Sequence, residues 1–371
     1  MNKICLIGSN GFIAKNFLTQ QYLNKYNITS INKKNYNKKI KNIKNTDILL
    51  HFAGTNRSEK KKDFEESNIK LIKNISKIIN KKKNTIIIYL STNKINEKSI
   101  YGKTKKLGEK LLVEFCKKNK KTLYIYRLPN IFGKWSKPFY NSVVSTFCYS
   151  IMNNIKYKNN APNKVIKIAY IGDLVNSINK ILKKKNHPPN ISFVDDFKTY
   201  PISLKNLESK IISFKELRYK KNFDIFKSNL SRKLYSTYAS YFDKNNFFHI
   251  IKNNQDDRGR FSEFFKSTNL GQISALTIKP NKIRGSHYHH YKTEKFLIIS
   301  GSFQITYFDI SNKNKKFTKK FNNKKSFVIE TIPGYYHEIK NIGKHEICIL
   351  IWSNEIYNPL KPDTFRFNEK I

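Results

Sequence analysis

Lys3-Ile4-Cys5-Leu6-Ile7 runs without a break into Gly8-Ser9-Asn10-Gly11-Phe12-Ile13-Ala14, and an amphipathic stretch follows from about Lys15. An apolar strand, a glycine turn and a helix in that order admit few folds. The turn presents bare backbone N–H groups at a helix N-terminus, which receives a pyrophosphate. Such a unit belongs to a doubly wound parallel sheet with helices on both faces. Gly8, Asn10, Gly11, Phe12 and Ile13 are therefore expected to hold a dinucleotide. The next strand, near Asn27 to Ile31, ends in Asn32-Lys33-Lys34. An acid there would bind the ribose hydroxyls; two cations suit a 2′-phosphate, so Lys33 and Lys34 point to NADPH over NADH. Asp47 to Gly54 reads as a third strand closing on small residues, with Ala53 and Gly54 expected under the cofactor.

Thr85 to Leu90 is another apolar strand and delivers Ser91 and Thr92 to the carboxyl edge of the sheet, where ligands bind. Tyr101-Gly102-Lys103-Thr104-Lys105 then opens a helix whose Leu107, Leu111, Leu112 and Phe115 are expected to face the core. Residues four apart share a helix face. A phenol titrates near pH ~10, and an adjacent ammonium favours the phenolate. Tyr101 can then exchange a proton with a substrate carbonyl, with Thr92 bonded to the same oxygen and Lys105 also holding the cofactor ribose.

The glycine turn, the Ser/Thr pair and the Tyr-x3-Lys, in that order, resemble the extended short-chain dehydrogenase/reductase family. So do Tyr126-Arg127-Leu128-Pro129-Asn130-Ile131-Phe132-Gly133 and Ala169-Tyr170-Ile171-Gly172-Asp173-Leu174-Val175. The resemblance implies an NADP-binding Rossmann-type domain in which Asn130 contacts the diphosphate of a nucleotide sugar. Asn68, at the start of a helix carrying Ile69, Ile72, Ile75 and Ile79, occupies a place where that fold often has asparagine. Gly172 stands where the family usually has an acid, and Asp173 reads as a helix cap.

A different chemistry begins downstream. Gly285-Ser286-His287-Tyr288-His289-His290 places two histidines two apart, and Glu294 and Gly301 follow. On an extended strand such residues point to one face, and Glu294 joins them from the next strand after a turn through Tyr291-Lys292-Thr293. Pro333-Gly334-Tyr335-Tyr336-His337 supplies a fourth ligand and is followed by Asn341. Three imidazoles and one carboxylate suit zinc, iron, manganese or nickel. The two segments resemble both halves of the cupin metal signature. Turn signals at Asn269-Leu270-Gly271, Pro280-Asn281, Ser311-Asn312 and Asn322-Asn323 predict short strands and an all-β jelly-roll barrel around that centre. Residues 195–243 read as helices completing a substrate-side lobe, and short aromatic strands are expected around Asn245-Asn246 and Asn253-Asn254. The expected division is 1–244 for the reductase domain and 245–371 for the cupin.

A chain of 371 residues fits two domains, and 39% hydrophobic residues suffice for two cores. The net charge of +46 would suit nucleic acid, yet only eight of the 72 basic residues are arginine and no nucleic-acid-binding motif accompanies them. Evenly spread lysine reads as solvated surface, so no nucleic-acid partner is expected. Cys5, Cys116, Cys148 and Cys348 are scattered singly, consistent with reduced thiols in a cytoplasmic protein. No apolar run is long enough for membrane insertion.

The order of the two halves resembles the CapF-type family of capsular-polysaccharide enzymes, in which such a reductase is fused to a cupin. Local likenesses are Phe132-Gly133-Lys134-Trp135, Lys137-Pro138, Tyr140-Asn141-Ser142-Val143, Leu234-Tyr235-Ser236-Thr237-Tyr238, Glu294-Lys295-Phe296-Leu297 and Pro362-Asp363-Thr364. The resemblance implies epimerisation at carbon 3 of a UDP-4-keto-6-deoxy-N-acetylhexosamine in the cupin, with zinc as the metal. Reduction at carbon 4 by NADPH then gives UDP-2-acetamido-2,6-dideoxy-L-talose, in the UDP-N-acetyl-L-fucosamine pathway. Related sugar-nucleotide epimerases make Arg258 and Arg284 candidates for the substrate diphosphate. The acid and base of the epimerisation stay open, with His290, Tyr335 and Tyr336 near in sequence. The alternatives are a reductase or epimerase whose cupin only binds sugar or pairs subunits, and a dehydratase, against which Asn93-Lys94 after Thr92 speaks. A homodimer paired through cupin sheets is the expected assembly.

Overall fold

The computed structural model describes residues 2–21, 26–243, 247–322 and 326–367. The chain divides into two compact units, residues 1–212 with 229–242, and residues 213–228 with 243–371.

Strands of the first unit are β1 (Lys3–Ile7), β2 (Asn27–Ile31), β3 (Ile48–His51), β4 (Ile86–Thr92), β5 (Thr122–Leu128), β6 (Asn130–Phe132), β7 (Val165–Tyr170), β8 (Ile191–Phe193) and β9 (Thr199–Ser203). Six of them form a parallel sheet in the order β2-β1-β3-β4-β5-β8. Side chains alternate across a strand, so the central strands β1, β3 and β4, buried on both faces, carry apolar residues toward each. Ile4 and Leu6 pack on one face with Phe17 and the Ile171–Leu182 helix, while Cys5 and Ile7 pack on the other with Ile72, Ile75, Leu112 and Cys116. Both faces are thus covered, the doubly wound arrangement. A smaller sheet, β6-β7-β9, lies beyond the end of β5.

Three local expectations change. The first helix starts at Phe12 rather than Lys15, because Gly11 already takes the extended N-cap conformation. In the Ile100–Lys118 helix Leu107 is 43% exposed; the inward face carries Lys105, Gly108, Glu109, Leu112 and Cys116, which follow each other at helical spacing. Asp173 does not cap its helix: its carboxylate accepts from Lys233 Nζ at 2.6 and 2.8 Å, tying the Ile171–Leu182 helix to the Asn229–Ala239 helix.

The second unit contains β10 (Asn254–Asp256), β11 (Gly259–Ser267), β12 (Gly271–Ile278), β13 (Ile283–Tyr288), β14 (Glu294–Ser300), β15 (Phe303–Asp309), β16 (Asn312–Phe321), β17 (Phe327–Glu330), β18 (Tyr335–Asn341), β19 (Ile347–Ser353) and β20 (Phe365–Arg366). They make two antiparallel sheets, β10-β11-β12-β19-β14-β17 and β16-β15-β18-β13-β20, sandwiching Leu276, Ile278, Phe296, Ile298, Phe303, Ile305, Ile339 and Ile349. This is the all-β half. Residues 247–253 form no strand, and 244–246 lie outside the described residues. The grouping differs from a single cut after residue 244. Phe223 stacks on Phe265 at 4.6 Å, and Asp224 accepts from Ser267 Oγ and Thr268 N, which draws 213–228 into the β unit. No helix among the described residues is long and apolar enough to cross a membrane. All four cysteines are free, and Cys348 is only half-buried.

Candidate functional sites

The first site opens at the carboxyl ends of β1, β3 and β4. Gly8 sits at φ +89°, and a Cβ there would lie 2.6 Å from Ala53 N, so the turn can pass under the end of β3 only with glycine. No side chain caps the helix that starts at Phe12, leaving its N-terminus to a ligand. Asn10, Gly11, Phe12, Ile13, Gly54, Ser91, Thr92, Tyr101 and Asn130 all line one cavity of about 510 Å³. Those features fit a dinucleotide. Lys33 and Lys34 are exposed beyond β2, where Asn32 donates to Asn10 Oδ1 of the turn at 3.3 Å. Ala53 is packed behind the turn.

Tyr101 is hydrogen-bonded to the Thr92 side chain. Burial pushes its phenol above the usual range; the Thr92 bond opposes the rise and the Glu97 carboxylate adds to it. The Lys105 ammonium is 5% exposed and donates to Leu90 O at 2.7 Å, one turn below Tyr101. Burial brings it down to about 8, against the pull of Glu109. Glu109 is the group that sequence reading missed: it accepts from Ser91 Oγ at 2.9 Å and from Arg127. Its position one further turn along from Lys105 was the available signal. Asn68 is buried inside a helical turn, not at its start, and donates to Thr55 O and Thr104 Oγ1.

Beside this cavity lies a second of about 600 Å³, sharing Asn93, Lys94, Asn130 and Tyr140 and adding Arg57, Lys164 and Lys167. Four cations around one hollow suit an anionic group. Arg57 and Tyr140 are mutually tied, Arg57 donating to Phe139 O at 3.0 Å and Tyr140 Oη to Arg57 O at 3.2 Å. Asn130 Nδ2 donates to Lys167 O at 3.2 Å.

The second site is built by β13, β14 and β18. Gly285 (φ +90°) and Ser286 (φ +59°) form a bulge opposite β18, and a Cβ on Gly285 would meet His337 O at 2.8 Å. The bulge re-aims His287 so that it pairs directly with His337. His289 lies just past the end of β13, and Glu294 opens β14. The potential ligand atoms of His287, His289, Glu294 and His337 all lie within 4.8 Å of one another. His289 Nε2 is 3.3 Å and His337 Nε2 3.8 Å from Glu294 Oε2.

Protonation suits a cation. Burial drives the imidazole of His287 down to about 4 and that of His337 to about 3, so both are neutral. Burial alone would raise the Glu294 carboxyl, but the His289 bond and the Lys292 charge outweigh it and bring it to about 2. Neither ring nitrogen of His337 has a hydrogen-bond partner although both are buried. Buried unpaired nitrogens are costly, and a metal ion would satisfy one. The donor set therefore fits a divalent metal.

His287, Glu294, His337, Arg258 and Arg284 line a cavity of about 270 Å³ with Phe261 and Phe296. Asp256 holds both guanidinium groups, accepting from Arg258 and Arg284 at 2.7 Å each. His290, Tyr335 and Tyr336 are not among the residues that line it.

A profile of the NAD dependent epimerase/dehydratase family matches residues 4–194, and one of the polysaccharide biosynthesis C-terminal domain matches 254–365. The chain is 32% identical over 366 residues to a UDP-2-acetamido-2,6-beta-L-arabino-hexul-4-ose reductase of Pseudomonas aeruginosa, covering 98% of each protein. Capsular polysaccharide assembling protein CapF from Staphylococcus aureus superposes with a TM-score of 0.88 at 31% identity, over 99% of this chain and 100% of that one. UDP-glucuronic acid 4-epimerase from Bacillus cereus, at 16% identity and a TM-score of 0.53 over 64% of this chain and 96% of that one, shares the fold of the first unit's type. The chain belongs to the NAD dependent epimerase/dehydratase family, as a CapF-related member that carries a polysaccharide biosynthesis C-terminal domain.

Proposed function

We propose that the protein is a bifunctional nucleotide-sugar enzyme. Its β half inverts carbon 3 of a UDP-4-keto-6-deoxy-N-acetylhexosamine, and its first half then reduces the ketone at carbon 4 with NADPH, giving UDP-2-acetamido-2,6-dideoxy-L-talose. The observation that carries this reading is the presence of two separate sites in one chain, each suited to a carbonyl. One has a phenol bonded to Thr92 over a dinucleotide turn; the other has three imidazoles and a carboxylate clustered beside two arginines.

A proton beside a ketone is weakly acidic. A divalent cation, for which zinc is our choice, supplies stabilisation of the charge that develops on the ketone oxygen when that proton leaves. His287, His289, Glu294 and His337 would hold it, and Arg258 and Arg284 would exchange part of their hold on Asp256 for the substrate diphosphate. Phe261, Phe296 and Ile351 line the same cavity, and apolar walls strengthen charges that act beside them. In the reductase half, NADPH supplies hydride. Gly8 to Ile13 and Gly54 would cradle the cofactor, with Lys33 and Lys34 facing its 2′-phosphate. Tyr101 gives its hydroxyl proton to the carbonyl oxygen, and the raised phenol keeps that proton available at neutral pH. Thr92 orients the oxygen, while Lys105 beneath can turn from Leu90 O to the ribose. Asn130 contacts the diphosphate, and Arg57, Lys94, Lys164 and Lys167 supply the field around it.

We place the reaction in the cytoplasm, where NADPH is available, and take a homodimer as the working assembly. The test is metal analysis of the purified protein together with NADPH oxidation assayed against UDP-4-keto-6-deoxy-N-acetylhexosamines. About one metal per chain and saturable oxidation support the proposal. Reduction that proceeds at full rate without any change at carbon 3, with metal present, would instead favour a reductase whose β half only binds sugar.

A further inference from the structure

We infer that the distal segment 362–366 is the support that fixes the metal centre, with Asp363 and Lys292 as the positioning residues for His289 and Glu294. The inference rests on the metal reading above and assigns residues that do not themselves touch the ion. His289 Nδ1 donates to the backbone carbonyl of Asp363, which orients the ring with Nε2, the ligand atom, turned to Glu294 Oε2 at 3.3 Å. The Asp363 carboxylate accepts from three successive backbone N–H groups, those of His290, Tyr291 and Lys292, at 2.9, 2.9 and 2.7 Å. Three of the four residues between the second histidine and Glu294 are therefore wrapped around one carboxylate, on a residue that is 6% exposed.

Lys292 closes the loop. Its Nζ lies 3.1 Å from Thr364 Oγ1 and 3.5 Å from Glu294 Oε1, while Glu294 Oε2 faces His289 and His337. The ammonium thus holds Oε1 and leaves Oε2 on the side of the imidazoles, where it would serve as the carboxylate's donor to a bound metal. β20 adds a short ladder, pairing Arg366 with His287 and Phe365 with Tyr288, and the Phe365 ring stacks on Tyr288 at 5.6 Å. A carboxylate under a turn could serve stability alone. Here two of the ties end on ligand side chains, His289 and Glu294, whereas His337 receives no such support. The arrangement therefore holds two of the four donors in place.

The experiment uses the full chain, stripped of metal and reloaded with zinc or cobalt. Zinc affinity is read by competition with a chromophoric chelator, coordination by the cobalt visible spectrum, and folding by circular dichroism. Asp363→Asn and Lys292→Gln should each weaken zinc binding about 10- to 100-fold and shift the cobalt bands. Phe223→Ala, which removes the stack on Phe265 and none of the ties to the ligands, should lower the melting temperature and leave both metal readouts as in wild type. Should Asp363→Asn fail to fold, Lys292→Gln still decides, because only its Nζ contacts are lost. Wild-type affinity and spectrum in the folded variants would overturn the positioning role. Wild-type protein that takes up no metal, or His337→Ala that binds it unchanged, would overturn the metal reading beneath it.

Discussion

His51 ends β3 fully buried, edge-on to Tyr89 at 5.3 Å, with neither ring nitrogen hydrogen-bonded. Burial, followed by the charge of Lys105, lowers it from 6.5 to about 3. Between those two values the unfolded chain binds a proton that the folded one refuses. Stability is therefore fully present above pH 6.5 and is lost as pH falls toward 3, at up to about 1.4 kcal/mol per pH unit. Urea midpoints of the His51→Phe variant should change less between about pH 6.5 and about pH 4 than those of wild type; parallel slopes would contradict this. Tyr101 sits nearby and carries the other residue-level prediction. Tyr101→Phe should cut NADPH-dependent turnover by about 10²- to 10⁴-fold with the substrate KM little changed. A variant as fast as wild type would remove Tyr101 from the chemistry.

Among the elements, the Ile100–Lys118 helix shows what local pattern can and cannot reveal. Its start was legible to within a residue from the Tyr-x3-Lys segment read as opening it; the structure starts it at Ile100, where Ser99 accepts from Gly102 N at 3.2 Å as a helix cap. Its inward face was not, because Lys105, Gly108 and Glu109 are buried for reasons that lie on other strands, in Leu90 O, Ser91 and Arg127. Asp173 was misread for the same reason. Its partner Lys233 is 60 residues away, and both side chains are about one-fifth exposed, 21% and 23%. Lys233→Met leaves a half-buried carboxylate without its cation and should cost about 1–3 kcal/mol in urea unfolding. Adding Asp173→Asn should recover part of that loss, and strictly additive costs would exclude a coupled pair. The cluster of three imidazoles and one carboxylate was readable because three of its four members fall within eight residues. Asp363, 74 positions from His289, left no local trace.

For the molecule as a whole, most of the +46 charge was read as solvated lysine, and the cations that gather at cavities are few: Arg57, Lys94, Lys164 and Lys167 around one, Arg258 and Arg284 around another. Both folds were legible from strand and turn chemistry, whereas the membership of 213–228 was not, since Phe223 finds its partner Phe265 only in three dimensions. On the proposed function, one substrate carbonyl links the two halves, acidifying its neighbour in one site and accepting hydride in the other. The most direct test is the Tyr101→Phe variant, metal-loaded, incubated with the UDP-4-keto sugar in deuterated water and followed by mass spectrometry and NMR. The account predicts deuterium at carbon 3 without reduction at carbon 4, and no deuterium once His337→Ala is added. Label that persists in the double variant, or never appears in the single one, would contradict it.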